Sequence, residues 1–305
     1  MKHLISLNDI SIKEIEDIFA LTSKLKKELK EGTQNHLLKG KTLGMIFTKS
    51  STRTRVSFEV GMYQLGGHPL FLSSSDTQLG RGESVYDTAQ VLSRYINGIM
   101  IRTFKHSDVE DLAKYGNIPV INGLTDLMHP CQILADLFTV YEVKGHLKGL
   151  KMAYIGDGNN VANSLLHGCA KVGMNISIAT PKGFECDSGI IEEAKEAAVN
   201  SGCSIILTDD PVEAVKKADV VYTDTWVSMG QEAEKEARQK TFIPYQVNGK
   251  LFSVAKSDAI FLHCLPAYRG LEVSEEIIDG PRSLVFQEAE NRLHVQKAIM
   301  AILMG

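Results

Sequence analysis

Residues 43–61 read LGMIFTKSSTRTRVSFEVG: an apolar run, a cluster of hydroxyls with two arginines, then helical spacing. Leu43 to Phe47 predict a short strand, and Ser51 is placed to cap a helix that begins directly after it. A strand turning at once into a helix is the first half of a βαβ unit. The first N–H groups of a helix lack internal partners and carry the positive end of its dipole. The hydroxyls of Ser51, Thr52 and Thr54 and the forked guanidinium of Arg53 therefore gather where a phosphate would bind. Arg53 and Arg55 repel one another unless an anion lies between them, and a phosphate dianion would remove the conflict. No GxxxxGK[ST] occurs, so the site is not a P-loop.

The same alternation continues outward. KTLGMIFT, HPLFLSS, GIMIRTF and IPVING predict strands, separated by amphipathic stretches such as ESVYDTAQVLSRYI. A long helix from Pro130 to about Lys144 interrupts the pattern, which resumes with LKMAYIGD, MNISIAT, CSIILTDD, DVVYTDTW and DAIFLHCL. This predicts an α/β protein of two doubly wound parallel-sheet domains, divided near Gly145 to Leu150. We take the domains as 1–147 and 148–305. Ahead of the first strand, Ser11-Ile12-Lys13-Glu14 has the form of a capping box, with Ile12, Ile15, Phe19, Thr22, Leu25 and Leu29 at helical spacing. The last segment, EAENRLHVQKAIMAILM, predicts an amphipathic helix over about 286–305 that returns to the first domain.

Composition narrows the function classes. With 33 basic against 37 acidic residues, no bulk charge favours nucleic acid or an anionic membrane. No run approaches the roughly 18 apolar residues of a membrane span, and MKHLISLNDI has no long apolar core. The five cysteines, Cys131, Cys169, Cys186, Cys203 and Cys264, form no CxxC, which argues for a reducing cytoplasm and against a disulfide framework or zinc cage.

Further polar residues fall at predicted strand ends, where doubly wound sheets bind ligands. Arg102 ends GIMIR; His129 and Gln132 flank Pro130, the expected first helical residue after IPVING. A guanidinium and an imidazole there suit a carbonyl oxygen. Gly156-Asp157-Gly158-Asn159-Asn160-Val161-Ala162 has the outline of a dinucleotide loop, but Ala162 replaces the closing glycine and no acid ends the next strand. Asn159 and Asn160 suit a small zwitterion better. Asp224, after DVVYT, can bind an ammonium, and the loop carrying Ser228, Met229 and Gly230 can close over it. Cys264 and Leu265 end DAIFLHCL, where a cysteine beside a carboxylate can relay a proton. Read singly, each has a plainer role: Trp226 as a packing anchor, Cys264 as an inert buried thiol, His129 as a structural residue.

In order, STRTR, HPCQ, GDGNN, DTWVSMG and HCLPAYRG closely resemble the ornithine branch of the aspartate/ornithine carbamoyltransferase family over nearly the whole chain. The resemblance implies that Ser51, Thr52, Arg53 and Thr54 hold the phosphate of carbamoyl phosphate, with Gln78 reaching into a neighbouring subunit's site. Arg102, His129 and Gln132 would grip the carbamoyl group, with Arg292, at the start of the last helix, completing the anion site. Asn160, Asp224, Ser228 and Met229 would bind L-ornithine, and Cys264 and Leu265 would flank the reacting groups. It also implies an active site in the cleft between the domains, a homotrimer or multiple of trimers, and no metal or organic cofactor. Arg53, Arg102, His129, Asp224 and Cys264 would carry the catalysis. Alternatives are the same transfer to putrescine, N-acylated ornithine or aspartate, a nicotinamide-dependent oxidoreductase built on GDGNN, and a phosphate-binding module without catalysis.

Overall fold

A computed structural model of the chain, described for residues 1–73, 82–227 and 232–305, shows two compact units. One is Met1–Leu134 with Glu290–Gly305; the other is Ala135–Ala289. The first holds α1 (Ile12–Lys30), β1 (Thr42–Phe47), α2 (Thr52–Gln64), β2 (His68–Ser73), α3 (Val85–Tyr95), β3 (Gly98–Arg102), α4 (His106–Tyr115) and β4 (Val120–Leu124). The helix α5 (Pro130–Lys144) follows and, like the last helix, contributes residues to both units. The second unit continues with β5 (Lys151–Ile155), α6 (Asn160–Val172), β6 (Asn175–Ala179), α7 (Ser188–Ser201), β7 (Ile205–Thr208), α8 (Pro211–Val215) and β8 (Val220–Thr223). It closes with α9 (Lys235–Phe242), α10 (Gly249–Phe252), β9 (Ile260–Leu262) and α11 (Glu275–Ile278), before α12 (Val285–Met304).

Both sheets are parallel, in the orders β2-β1-β3-β4 and β7-β6-β5-β8-β9. In the first the chain reverses direction across the sheet between β1 and β3; in the second it does so between β5 and β8. Flanking helices diverge at such a point and leave a crevice at the strand ends. The SSTRTR turn and Arg102 flank the first reversal, GDGNN and Asp224 the second. Two crevices, one in each unit, thus account for most of the motifs.

Local chemistry sets the helix ends. Ser11 and Glu14 form the expected capping box, with Ser11 N donating to Glu14 Oε2 at 2.7 Å and Glu14 N to Ser11 Oγ at 3.2 Å. The buried stripe of α1 is narrower than its apolar spacing predicts: Ile15, Ile18, Phe19, Thr22, Leu25 and Lys26 are buried, while Ile12 and Leu29, in the terminal turns, are exposed. The last helix departs further from expectation. It begins at Val285, so Arg292 lies two turns inside it, and it is not amphipathic. Asn291, Arg292, His294, Gln296 and Lys297 are buried beside Val295, Ala298, Ile299 and Met300. Hydrogen bonding permits this: Lys26 Nζ donates to Asn291 Oδ1 at 2.6 Å, and Lys297 Nζ to Gln64 Oε1 at 2.9 Å.

Within the second unit a buried acid fixes the end of β9. Glu288 Oε2 accepts the backbone N–H of His263 at 2.9 Å, Tyr222 Oη lies 3.4 Å from Oε1, and the Asp136 carboxyl hydrogen-bonds to it. Burial and the neighbouring Asp136 push the Glu288 carboxyl well above the usual range, so the two acids share a proton. A carboxyl raised on folding contributes stability in full below its unfolded value, near pH 4.3, and loses it as pH rises toward the folded value. Glu288→Gln keeps the shape without the charge. Its melting temperature relative to the wild type is expected to climb between pH 5 and 8; a difference that stays flat across that range contradicts the shared proton.

Candidate active site

In the first unit Ser51 caps α2, its Oγ accepting Thr54 N at 3.3 Å and donating to Thr54 Oγ1 at 3.1 Å. Capping turns the buried Thr54 hydroxyl toward the end of the neighbouring strand. Arg102 Nη1 donates to it from β3 at 3.5 Å, and Arg292 Nη2 donates to it from α12 at 3.3 Å. Both contacts exceed the usual N–H···O range, and one hydroxyl oxygen has only two lone pairs. Two buried guanidinium groups thus converge on one neutral hydroxyl, a concentration of positive charge suited to an anion. Arg292 Nη1 also donates to Gln132 Oε1, and both residues are buried.

His129 is buried, and its ring is pushed well below the ordinary histidine value by burial, then by Arg292, Arg102 and Lys49. It is a neutral imidazole, able to donate to a carbonyl oxygen without adding charge. Lys49 was not singled out in the sequence; it pairs with Asp126 at 3.1 Å and lies 4.9 Å over the Phe104 ring. Its place between β1 and the α2 cap was the available signal.

The two arginines of SSTRTR separate. Arg55 Nε donates to Glu59 Oε1 at 2.9 Å and its guanidinium stacks 3.7 Å over Phe71. The expected anion between both arginines is therefore corrected: Glu59, one turn on, balances Arg55. Thr52 and Arg53 are exposed on the first turn of α2, where Arg53 remains available to a ligand.

The second unit presents the opposite charge. Asn159 caps α6, its Oδ1 accepting Val161 N at 2.9 Å and Ala162 N at 3.2 Å. That fixes its amide so that Nδ2 donates to Asp224 Oδ2 at 2.8 Å. Asp224 Oδ1 accepts Thr225 N at 2.7 Å and the Cys264 thiol at 3.1 Å. Burial, then Asp224, push the Cys264 thiol well above its usual value, so it is a donor and stays protonated. Asn160 is the half-buried first residue of α6, and Leu265 has a left-handed φ of 54°. Sequence reading missed Asn159 as the residue that orients Asp224; a helix cap beside a strand-end acid was the clue.

Gly158 has a reason of its own. A Cβ there would strike the backbone of Glu185 and Cys186, and its N–H donates to Phe184 O at 2.8 Å. The glycine serves a close approach within the protein rather than one to a pyrophosphate. Arg238 of α9 ties the loop stems together, donating to Asp157 Oδ2 at 2.8 Å and Trp226 O at 3.1 Å. Trp226 is buried and stacks on Phe242, as a packing anchor would.

Asp224, His263 and Cys264 offer donor atoms within 4.8 Å of one another. A metal there would have to displace existing bonds: Leu265 N donates to His263 Nδ1 at 3.0 Å, and Nε2 lies 3.3 Å from Glu272 Oε1. Gln78, Ser228 and Met229 lie outside the described residues. Among the described residues no helix is long and apolar enough to cross a membrane.

Comparison with known proteins agrees with both halves. Residues 2–142 match the family described as "Aspartate/ornithine carbamoyltransferase, carbamoyl-P binding domain", and residues 148–303 match "Aspartate/ornithine carbamoyltransferase, Asp/Orn binding domain". The chain is 60% identical to the ornithine carbamoyltransferase of Carboxydothermus hydrogenoformans, covering 100% of this chain and 98% of the relative. The structure of ornithine carbamoyltransferase from Pyrococcus furiosus is 55% identical, with a TM-score of 0.97, covering 100% of this chain and 97% of that one. The anabolic ornithine carbamoyltransferase from Campylobacter jejuni is 49% identical, with a TM-score of 0.93 and 99% of each chain covered. The chain belongs to the aspartate/ornithine carbamoyltransferase family.

Proposed function

We propose that the protein transfers the carbamoyl group of carbamoyl phosphate to the δ-amine of L-ornithine, giving L-citrulline and phosphate in arginine synthesis. The observation that carries the first half is the pair of buried guanidinium groups sharing the Thr54 hydroxyl above the α2 N-terminus. Ser51, Thr52, Arg53 and Thr54 hold the phosphate, joined by Gln78 from a neighbouring copy. Arg102, His129, Gln132 and Arg292 hold the carbamoyl group. Asp224 supports the second half: a fixed carboxylate suits an amino acid with a second cationic end, whereas aspartate would call for further cations there. Asn160, Ser228 and Met229 complete the ornithine side. The anabolic relative supports the direction of synthesis.

The amine nitrogen attacks the carbonyl carbon, a C–N bond forms, and the C–O bond to phosphate breaks. The tetrahedral oxyanion draws on Thr54, Arg102 and neutral His129, while phosphate departs toward Arg53. The attacking nitrogen must shed a proton. Cys264 keeps its own and cannot take it, which leaves Asp224 or the departing phosphate as the acceptor. Cys264 and Leu265 border the reacting groups.

We also infer a homotrimer and a cytoplasmic setting. The trimer is supported by an exposed apolar stripe on α2, Val56, Val60 and Tyr63, with Tyr63 80% exposed. The five free thiols fit a reducing compartment.

A product assay with carbamoyl phosphate and ornithine, aspartate, putrescine or N-acetylornithine is expected to give product from ornithine alone; turnover of another amine in its place would overturn the substrate. Arg53→Ala should cut kcat/KM about a hundredfold or more with the circular dichroism unchanged. Asp224→Asn should raise the KM for ornithine about tenfold or more while leaving phosphate binding intact. Light scattering should return three times the chain mass of 33.6 kDa or a multiple of that, and Tyr63→Glu should lower it.

A further inference from the structure

We propose that Gln296 is a positioning residue that aims the Arg292 guanidinium at the bound anion, braced for this by Ser57. This rests on the reading of Arg292 as part of the carbamoyl phosphate site. Gln296 lies four residues after Arg292 on α12, so the two side chains share a helix face. Ser57 Oγ donates its single hydrogen to Thr54 O at 3.2 Å and so can only accept from Gln296. The Gln296 amide must then present its nitrogen to Ser57, at 2.6 Å, and its oxygen to Arg292, at 3.2 Å from Nε and 3.1 Å from Nη2. Oriented so, one neutral oxygen grips an edge of the guanidinium while the other nitrogen points to Gln132.

The chemistry favours an amide at this position. A guanidinium is planar and rigid, so an acceptor on one edge sets where its remaining N–H groups point. A carboxylate would orient it equally well but would cancel the charge that the anion needs. It would also face the lone pairs of Ser57. An aliphatic side chain would remove the acceptor from the Nε edge of Arg292 and loosen its aim. The contact depends on close packing of α2 against α12. One turn after Ser57, a Cβ at Gly61 would lie 2.9 Å from Met300 Cε and 3.3 Å from Lys297 Cγ, so a larger residue there would make those side chains shift.

Three variants, Gln296→Met, Gln296→Glu and Ser57→Ala, test this with steady-state kinetics on both substrates, calorimetric binding of inorganic phosphate, and thermal melts. Gln296→Met is expected to raise the KM for carbamoyl phosphate and weaken phosphate binding about tenfold, with the KM for ornithine within about twofold. Gln296→Glu should weaken phosphate binding further but keep kcat closer to wild type, because orientation survives while charge does not. Ser57→Ala should shift phosphate binding in the same direction by about threefold. A folded Gln296→Met with wild-type phosphate affinity and KM overturns the proposal. If that variant fails to fold, unchanged phosphate affinity in both Gln296→Glu and Ser57→Ala overturns it equally. Lack of turnover by the wild type would count against the transferase reading alone, since the phosphate titrations would still decide the role of Gln296.

Discussion

Two buried guanidinium groups on the Thr54 hydroxyl form the contact on which the first unit depends. A buried cation is costly unless hydrogen-bonded, and each of these reaches Thr54 from a different element: Arg102 from the end of β3, Arg292 from α12. The contact exists only if β1 runs into a capped α2, β3 lies beside β1, and α12 packs into the same unit. Arg102 meets a neutral hydroxyl there, and Arg292 meets that hydroxyl and two amides, contacts that orient a guanidinium without cancelling its charge.

The second unit repeats the topology with inverted electrostatics. Its sheet reverses between β5 and β8, and the residue just past β8 is an acid. Asp224 is held by Asn159, Thr225 and Cys264, none of them charged, so these contacts fix its carboxylate without neutralising it. One fold used twice therefore gives a crevice for an anion and a crevice for a cation, as carbamoyl phosphate and ornithine require. The surrounding devices serve rigidity: the buried Arg238–Asp157 pair secures the loop stems, and Glu288 secures the end of β9 through the N–H of His263. Breaking such a buried pair typically costs about 3–5 kcal/mol, because one charge is left uncompensated.

The parallel sheets, the βαβ order, the position of Pro130 at the head of α5 and the strand-end placement of Arg102, Asp224 and Cys264 were legible in the sequence. Each follows from a local signal: apolar runs of strand length, a cap, a proline, or a polar residue ending an apolar run. Asn159 was visible as a polar loop residue but not as the holder of Asp224, since the two are 65 positions apart. The burial of α12 was not legible either. Periodicity assumes polar residues face water, and Asn291, His294, Gln296 and Lys297 are inside, with partners for Asn291, Gln296 and Lys297 on other helices.

By itself the sequence determined which residue types meet at which sheet edge, because strand and helix signals are short-range and survive without a partner. Only tertiary structure decided which of the two arginines of SSTRTR is balanced by a carboxylate, one turn along its own helix, and which amides contact Arg292. Those outcomes depend on the direction of a side chain and the approach of a distant helix, and neither is encoded in spacing along the chain.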